Sequence, residues 1–133
     1  WGIPCCYSVA CCYLAFSLEN GYRQTKLAVA GPDRPTAIFA LSNTILLGAV
    51  KAIRESGLRI PEDISVVSFD DNPYLDFLVP AITRIGQPVE EIGKTAVRLL
   101  LESIREEVRC RTPLQLPPER IVRDSVANPR TAK

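Results

Sequence analysis

The sequence predicts an α/β fold, a parallel sheet with flanking helices, and three observations carry that expectation. Two short apolar runs, Thr36–Leu41 and Ile64–Phe69, flank one amphipathic segment, Asn43–Ser56. Each run stops on small polar or acidic residues: Ser42 and Asn43 after the first, Asp70 and Asp71 after the second. The segment between them has the length and period of the crossover helix that two parallel strands require. Ligands of open parallel sheets bind beyond the carboxyl ends of the strands. Asn43, Asp70 and Asp71 therefore stand where a site is expected.

Taken in order, the chain opens on an apolar, Cys- and Tyr-rich stretch, residues 1–16, without helical period. Val9–Leu14 reads as a strand. Ser17 reads as the N-cap of a helix running to about Ala30, with Glu19 early and Arg23 and Lys26 later, as the helix dipole favours. Gly31-Pro32-Asp33 ends it, and Pro35 keeps the chain extended. The run Ala37–Leu41 is apolar without alternation, as expected of a strand covered on both faces. Leu46, Ala49, Val50 and Ile53 fall at i, i+3, i+4 and i+7 on one face of the next helix. Gly57 supplies a left-handed stop and Pro61 forbids continuation.

The second run, Ile64–Phe69, is β-branched and apolar enough for a strand. Asp71-Asn72-Pro73 opens a loop or short helix through Phe77, and Ala81–Gly86 is a third extended piece. Pro88, at an N1 position, begins the longest helix, with Glu90 and Glu91 in its first turn and Arg105 and Arg109 at its end. Ile92, Ala96, Leu99, Leu100 and Ile104 form its apolar stripe. Thr112–Val122 holds two short extended pieces split by Pro117-Pro118, and after Asp124 the polar chain is expected to fray.

Composition bounds the rest. With 133 residues, 47% hydrophobic and 23% charged, the chain is one ordinary globular domain or part of a larger one. A net charge of +1 gives these residues no electrostatic reason to bind nucleic acid or an anionic membrane. The absence of His excludes mechanisms that need an imidazole base or ligand. The chain begins on Trp1 and has no Met, which reads as a piece of a longer protein. No apolar run reaches the ~20 residues of a membrane helix, and no Lys or Arg precedes the first apolar stretch as a signal peptide requires. Cys5, Cys6, Cys11 and Cys12 form two vicinal pairs and Cys110 stands alone, a spacing that chelates zinc poorly, so no metal site is expected.

At the level of motifs, residues 35–125 resemble the C-terminal part of a transcriptional regulator of the lactose/galactose repressor (LacI/GalR) family. The resemblance lies in PTAIFALSN, GAVKAIRESGLRIPEDISVVSFDD, PAITRIGQP followed by EEIG, and the closing RIVRDS, with GYRQTK upstream. It implies part of a type I periplasmic-binding-protein-like fold. Members of that family carry an N-terminal helix-turn-helix followed by a two-lobed effector domain. The resemblance divides the chain into an atypical Cys-rich segment at 1–15, an effector-binding and dimerisation part at 16–125, and a disordered tail at 126–133.

It also implies four ligand-binding residues. Phe16 matches the aromatic that stacks on a sugar or base ring, and Asn43 matches a residue in polar contact with the effector. Asp70 matches the carboxylate that accepts from effector hydroxyls, and Gln87 matches the polar residue at the crossing between lobes. An apolar ring face with a few fixed acceptors and amides suits sugar recognition. Each position has a plainer alternative: Phe16 as core, Asn43 as a helix N-cap, Asp70 and Asp71 as caps of the next turn, Gln87 as partner to a backbone group beside Pro88.

The sequence departs from the family pattern before Phe16. The helix-turn-helix, most of the first lobe and the early second-lobe strand are missing, which leaves the apolar stripe of the helix after Pro88 partly exposed. The function implied is effector sensing, without catalysis or cofactor, by part of a cytoplasmic, homodimeric DNA-binding regulator. Its partners would be a sugar or nucleoside-like effector, and DNA only through the missing head. The alternatives are a fragment of a periplasmic sugar-binding protein and a Mg²⁺-dependent phospho-acceptor built on Asp70 and Asp71.

Overall fold

The computed structural model describes residues 17–106 and 113–129. Helix α1 spans Leu18–Ala30, strand β1 Ala37–Ala40, helix α2 Asn43–Glu55 and strand β2 Ser65–Phe69. A 3₁₀ turn, Pro73–Asp76, leads to β3 (Thr83–Gly86), α3 (Val89–Glu106) and β4 (Glu119–Ile121). The strand expected at Val9–Leu14 and the end of α3 expected at Arg109 lie outside the described residues.

The sheet runs β1-β2-β3-β4. β1, β2 and β3 are parallel, in the register Ile38↔Val66, Ala40↔Ser68 and Ser68↔Arg84. The expected parallel sheet is β1–β3, and a fourth strand, β4, is added antiparallel to β3, with Arg84 opposite Ile121. Of the two extended pieces expected in Thr112–Val122, the described residues hold one strand.

Local signals set the helices. Ser17 accepts from the Asn20 N–H at 3.1 Å and caps α1. Ser42, rather than Asn43, caps α2: its hydroxyl accepts from the Ile45 N–H at 3.2 Å and leaves Asn43 as the first helical residue. Ser42→Ala is expected to cost about 1 kcal/mol, read as a lower urea midpoint at unchanged slope. Gly57 follows α2 at φ 72°, the left-handed stop the sequence requires. Pro88 precedes α3 instead of starting it, its carbonyl accepting from the Ile92 N–H at 2.9 Å.

The core lies on one face of the sheet. Leu46, Ala49, Val50 and Ile53, the four residues of the predicted helix stripe, are all buried. Leu46, Val50 and Ile53 cluster with Ala40, Ile64, Val66, Leu75 and Ile82. Helix α1 stacks on α2 at two glycines. A Cβ on Gly21 would meet the Ile45 carbonyl, and one on Gly48 would meet the Leu18 carbonyl and the Tyr22 amide.

The other face corrects the expectation that β1 is covered on both sides. β1 is the edge strand of the described sheet, and Phe39 is 53% exposed, edge-on to Phe69 with ring centroids 6.4 Å apart. Helix α3 packs on no other described element. Ile92, Leu100 and Ile104 of the predicted stripe are exposed, as the sequence led one to expect, and so is Val97.

Fraying after Asp124 is also corrected. Ser125 is fully buried at the amino ends of β2 and β3. Its hydroxyl donates to the Val66 carbonyl at 2.6 Å and accepts from the Thr83 N–H at 2.8 Å. Its own carbonyl accepts from the Val66 N–H, and the Ala127 N–H reaches the Ser65 hydroxyl at 3.1 Å. The chain continues inward here because the β2–β3 pairing begins only at Val67 and Thr83, leaving the Val66 backbone groups in need of partners.

Candidate functional site at the carboxyl end of the sheet

Parallel strands deliver their carboxyl ends to one edge, and three of the sequence-predicted residues arrive there. Asn43 follows β1, Asp70 follows β2 and Gln87 follows β3. Phe16 lies outside the described residues. The Asn43 side-chain oxygen is 3.3 Å from the hydroxyl of Ser68, a fully buried residue one position before the end of β2. Asp70 accepts from the side-chain amide of Gln87 at 2.6 Å. Gln87 thus serves the carboxylate and not a backbone group beside Pro88. The capping alternative for the acidic pair also fails, because Asn72 caps the 3₁₀ turn through the Tyr74 N–H.

Asp70 has a backbone φ of 77°, the one positive value outside glycine among the described residues. Such a conformation costs on the order of 1–3 kcal/mol and persists where its surroundings over-determine it. Asp tolerates it better than most residues. The Asp70 N–H is held by the Ile85 carbonyl at 3.0 Å. The twist sends consecutive carboxylates different ways: Asp70 turns to Gln87, and Asp71 to Arg84.

Arg84 sits in β3, 3% exposed, below the site. Its Nε donates to Asp71 at 2.5 Å. Nη1 and Nη2 both donate to Asp76 at 2.9 Å, a bidentate pair, and Nη1 also reaches the Ile82 carbonyl. Arg123 adds a bond to Asp76 at 2.7 Å. Two guanidiniums thus face two carboxylates, the charge balance that burying Arg84 requires.

Hydrogen bonds from Arg84 first, then Arg123, hold the Asp76 carboxyl well below the usual carboxylate range. A carboxyl whose folded value lies below its unfolded value stabilises the fold at neutral pH. That contribution is lost as pH falls below about 4, through the unfolded value toward the folded one. Asp76→Asn is expected to flatten the fall of the urea midpoint between about pH 4 and 2, only moderately because the side chain is 38% exposed to screening solvent.

Chemically, the rim offers a carboxylate and two side-chain amides, with the buried Ser68 hydroxyl bracing one amide, a set suited to a ligand bearing several O–H or N–H groups. Among the described residues no group of three or more His, Cys, Asp or Glu is placed to hold a metal ion. A recess of ≈ 580 Å³ lies elsewhere, along the exposed α3 beside Gly93, Val97 and Leu101, and touches none of these residues. Sequence reasoning missed Ser68, Arg84, Asp76 and Arg123. Arg84 carried a signal, a lone charge inside the otherwise uncharged stretch Ala81–Gly86; the others carried none.

Comparison with known proteins agrees with the fold. Residues 4–126 match the periplasmic binding protein-like domain, a span that begins inside the Cys-rich segment. The chain is 41% identical over 102 residues to the HTH-type transcriptional repressor PurR of Aliivibrio fischeri, covering 77% of this chain and 30% of that protein. It is 38% identical over 111 residues to the ribose operon repressor of Haemophilus influenzae, covering 84% of this chain and 33% of the repressor. The chain therefore spans about a third of the length of these curated relatives.

Among solved structures, the lac repressor dimer bound to operator and the anti-inducer ONPF superposes with a TM-score of 0.77 at 32% identity, over 84% of this chain and 39% of that one. A LacI family transcriptional regulator from Enterococcus faecium with bound ribose gives 0.74 at 31% identity, over 84% and 41%. The chain belongs to the periplasmic binding protein-like domain family, in the form that LacI-family transcriptional regulators carry as their effector domain.

Proposed function

We propose that this chain is the effector-sensing and dimerisation part of a cytoplasmic DNA-binding regulator, and that Asp70, Gln87 and Asn43 contact the effector, with Phe16 stacking on its ring. One observation carries the reading: Asp70 and Gln87 meet at 2.6 Å at the carboxyl end of the parallel strands, where a ligand is expected. The effector is a sugar or nucleoside-like molecule, in keeping with the ribose bound to the Enterococcus faecium regulator. It is bound and not transformed. By favouring one arrangement of the two lobes it shifts the attached DNA-binding heads, which makes effector and operator affinities reciprocally linked.

The test is calorimetric titration of the complete regulator with D-ribose and a panel of aldoses, nucleosides and nucleobases, followed by operator retention with each binder. Binding that changes operator affinity supports the reading, and the absence of any such molecule in the panel rejects it.

The homodimer would use α2 and the loop after the 3₁₀ turn. The two are joined by the Arg54 guanidinium on the Val79 carbonyl at 2.5 Å, and Phe77 and Val79 stand 83% and 79% exposed there. Large apolar side chains this exposed are typical of contact surfaces. Phe77→Asp is expected to turn dimer into monomer in sedimentation velocity at micromolar protein, without loss of helix content.

A further inference from the structure

We propose that Arg84 is a positioning residue for the effector site: from its buried place in β3 it draws Asp71 onto that strand, and so leaves Asp70 to Gln87. The inference rests on Asp70 being the effector's acceptor, but its geometry stands without any ligand.

Three observations bear on it. First, the guanidinium cannot swing. It is 3% exposed, and Asp76 grips both of its terminal nitrogens while Arg123 grips Asp76 from the far side. What remains is Nε, fixed in direction, and Asp71 takes it at 2.5 Å. Second, the Asp71 side chain lies over Gly86, where an added Cβ would stand 3.4 Å from the Asp71 Cβ, so β3 leaves the space that this contact uses.

Third, Asp70 is held on both sides. Its N–H is fixed on Ile85, next to Arg84 on the same strand, and its successor is fixed on Arg84 itself. Between these two anchors the residue adopts φ 77°, a conformation that a side-chain-bearing residue leaves once released. Two adjacent aspartates are equivalent in the sequence, and the buried cation removes that equivalence. One carboxylate neutralises Arg84 and the other is left for the ligand.

The test uses the full chain, isotopically labelled, as wild type, Arg84→Met, Asp71→Ala, the double variant of these two, and Asp76→Asn. Two NMR signals report the geometry without an effector: the strong intraresidue amide–Hα cross-peak that a left-handed φ gives at Asp70, and the shifted Gln87 side-chain amide. Arg84→Met and Asp71→Ala are expected to lose both signals, and the double variant to lose nothing further. Asp76→Asn keeps a carbonyl acceptor for the guanidinium and leaves the Asp71 bond, so it controls for lost stability alone and is expected to keep both signals.

Should Arg84→Met fail to fold, Asp71→Ala decides, because Asp71 is 43% exposed and its replacement leaves Arg84 paired with Asp76. Folded Asp71→Ala protein that retains the left-handed Asp70 and its bond to Gln87 overturns the proposal. Loss of both signals in Asp76→Asn to the same extent also overturns it, since the effect would then be general loosening. Failure of the effector reading would show instead in the titration panel, with these signals unaffected.

Discussion

Gly48→Ala lowers stability by about 1–3 kcal/mol, the range for overpacking a filled interior, even though alanine favours a helix by about 1 kcal/mol over glycine. The new methyl has no side chain to displace. It would enter the space of the Leu18 carbonyl and Tyr22 amide, both parts of the α1 backbone. Relief therefore requires α1 to lift from α2 as a body. That loosens Gly21 from Ile45 and disturbs the rim contacts between the helices, among them the Tyr22 hydroxyl on Glu55 at 2.7 Å. Gly93→Ala supplies the opposite sign. It lies within α3 and an added Cβ meets nothing within 4 Å, so the propensity gain of about 1 kcal/mol is not opposed. Thermal midpoints of the two variants should move in opposite directions. Equal shifts would mean that the α1–α2 contact is not backbone-tight.

Asp70→Asn is expected to reduce effector affinity of the complete regulator roughly 10- to 150-fold, the equivalent of the ~1.5–3 kcal/mol carried by hydrogen bonds to a charged group. Asn keeps the size of the side chain, tolerates the left-handed backbone and still offers the Gln87 amide an acceptor. The thermal midpoint of the free protein should accordingly stay close to wild type, separating loss of recognition from loss of fold. Calorimetry with whichever sugar or nucleoside binds the wild type gives the answer. Unchanged affinity in a folded Asp70→Asn regulator would remove Asp70 from the site.

The elements that could be read from the chain were those whose signals are local. Ser17, Gly57 and the Leu46–Ala49–Val50–Ile53 stripe each determine a start, a stop or a face within a few residues, and the structure places them as read. What could not be read depends on partners far along the chain. The α2 cap was offered to Asn43 and falls to its neighbour Ser42, because both residue types cap equally well. β1 looked buried because its residues are apolar, yet burial depends on what lies across it, and a run of apolar side chains does not say whether a cover exists. For the site, the acidic pair was found from its position after β2. The resemblance singled out Asp70, but the different partners of the two carboxylates were not legible, because Asp71 bonds to Arg84, thirteen residues further on and on another strand.

Ser125 has a consequence for the order of synthesis. It joins the amino ends of β2 and β3, yet it is made about forty residues after β3 begins. A nascent chain emerging from the ribosome thus carries these two strands unstitched at the base until Ser125 clears the exit tunnel. A product stalled or released before that point would present the gap to proteases and chaperones.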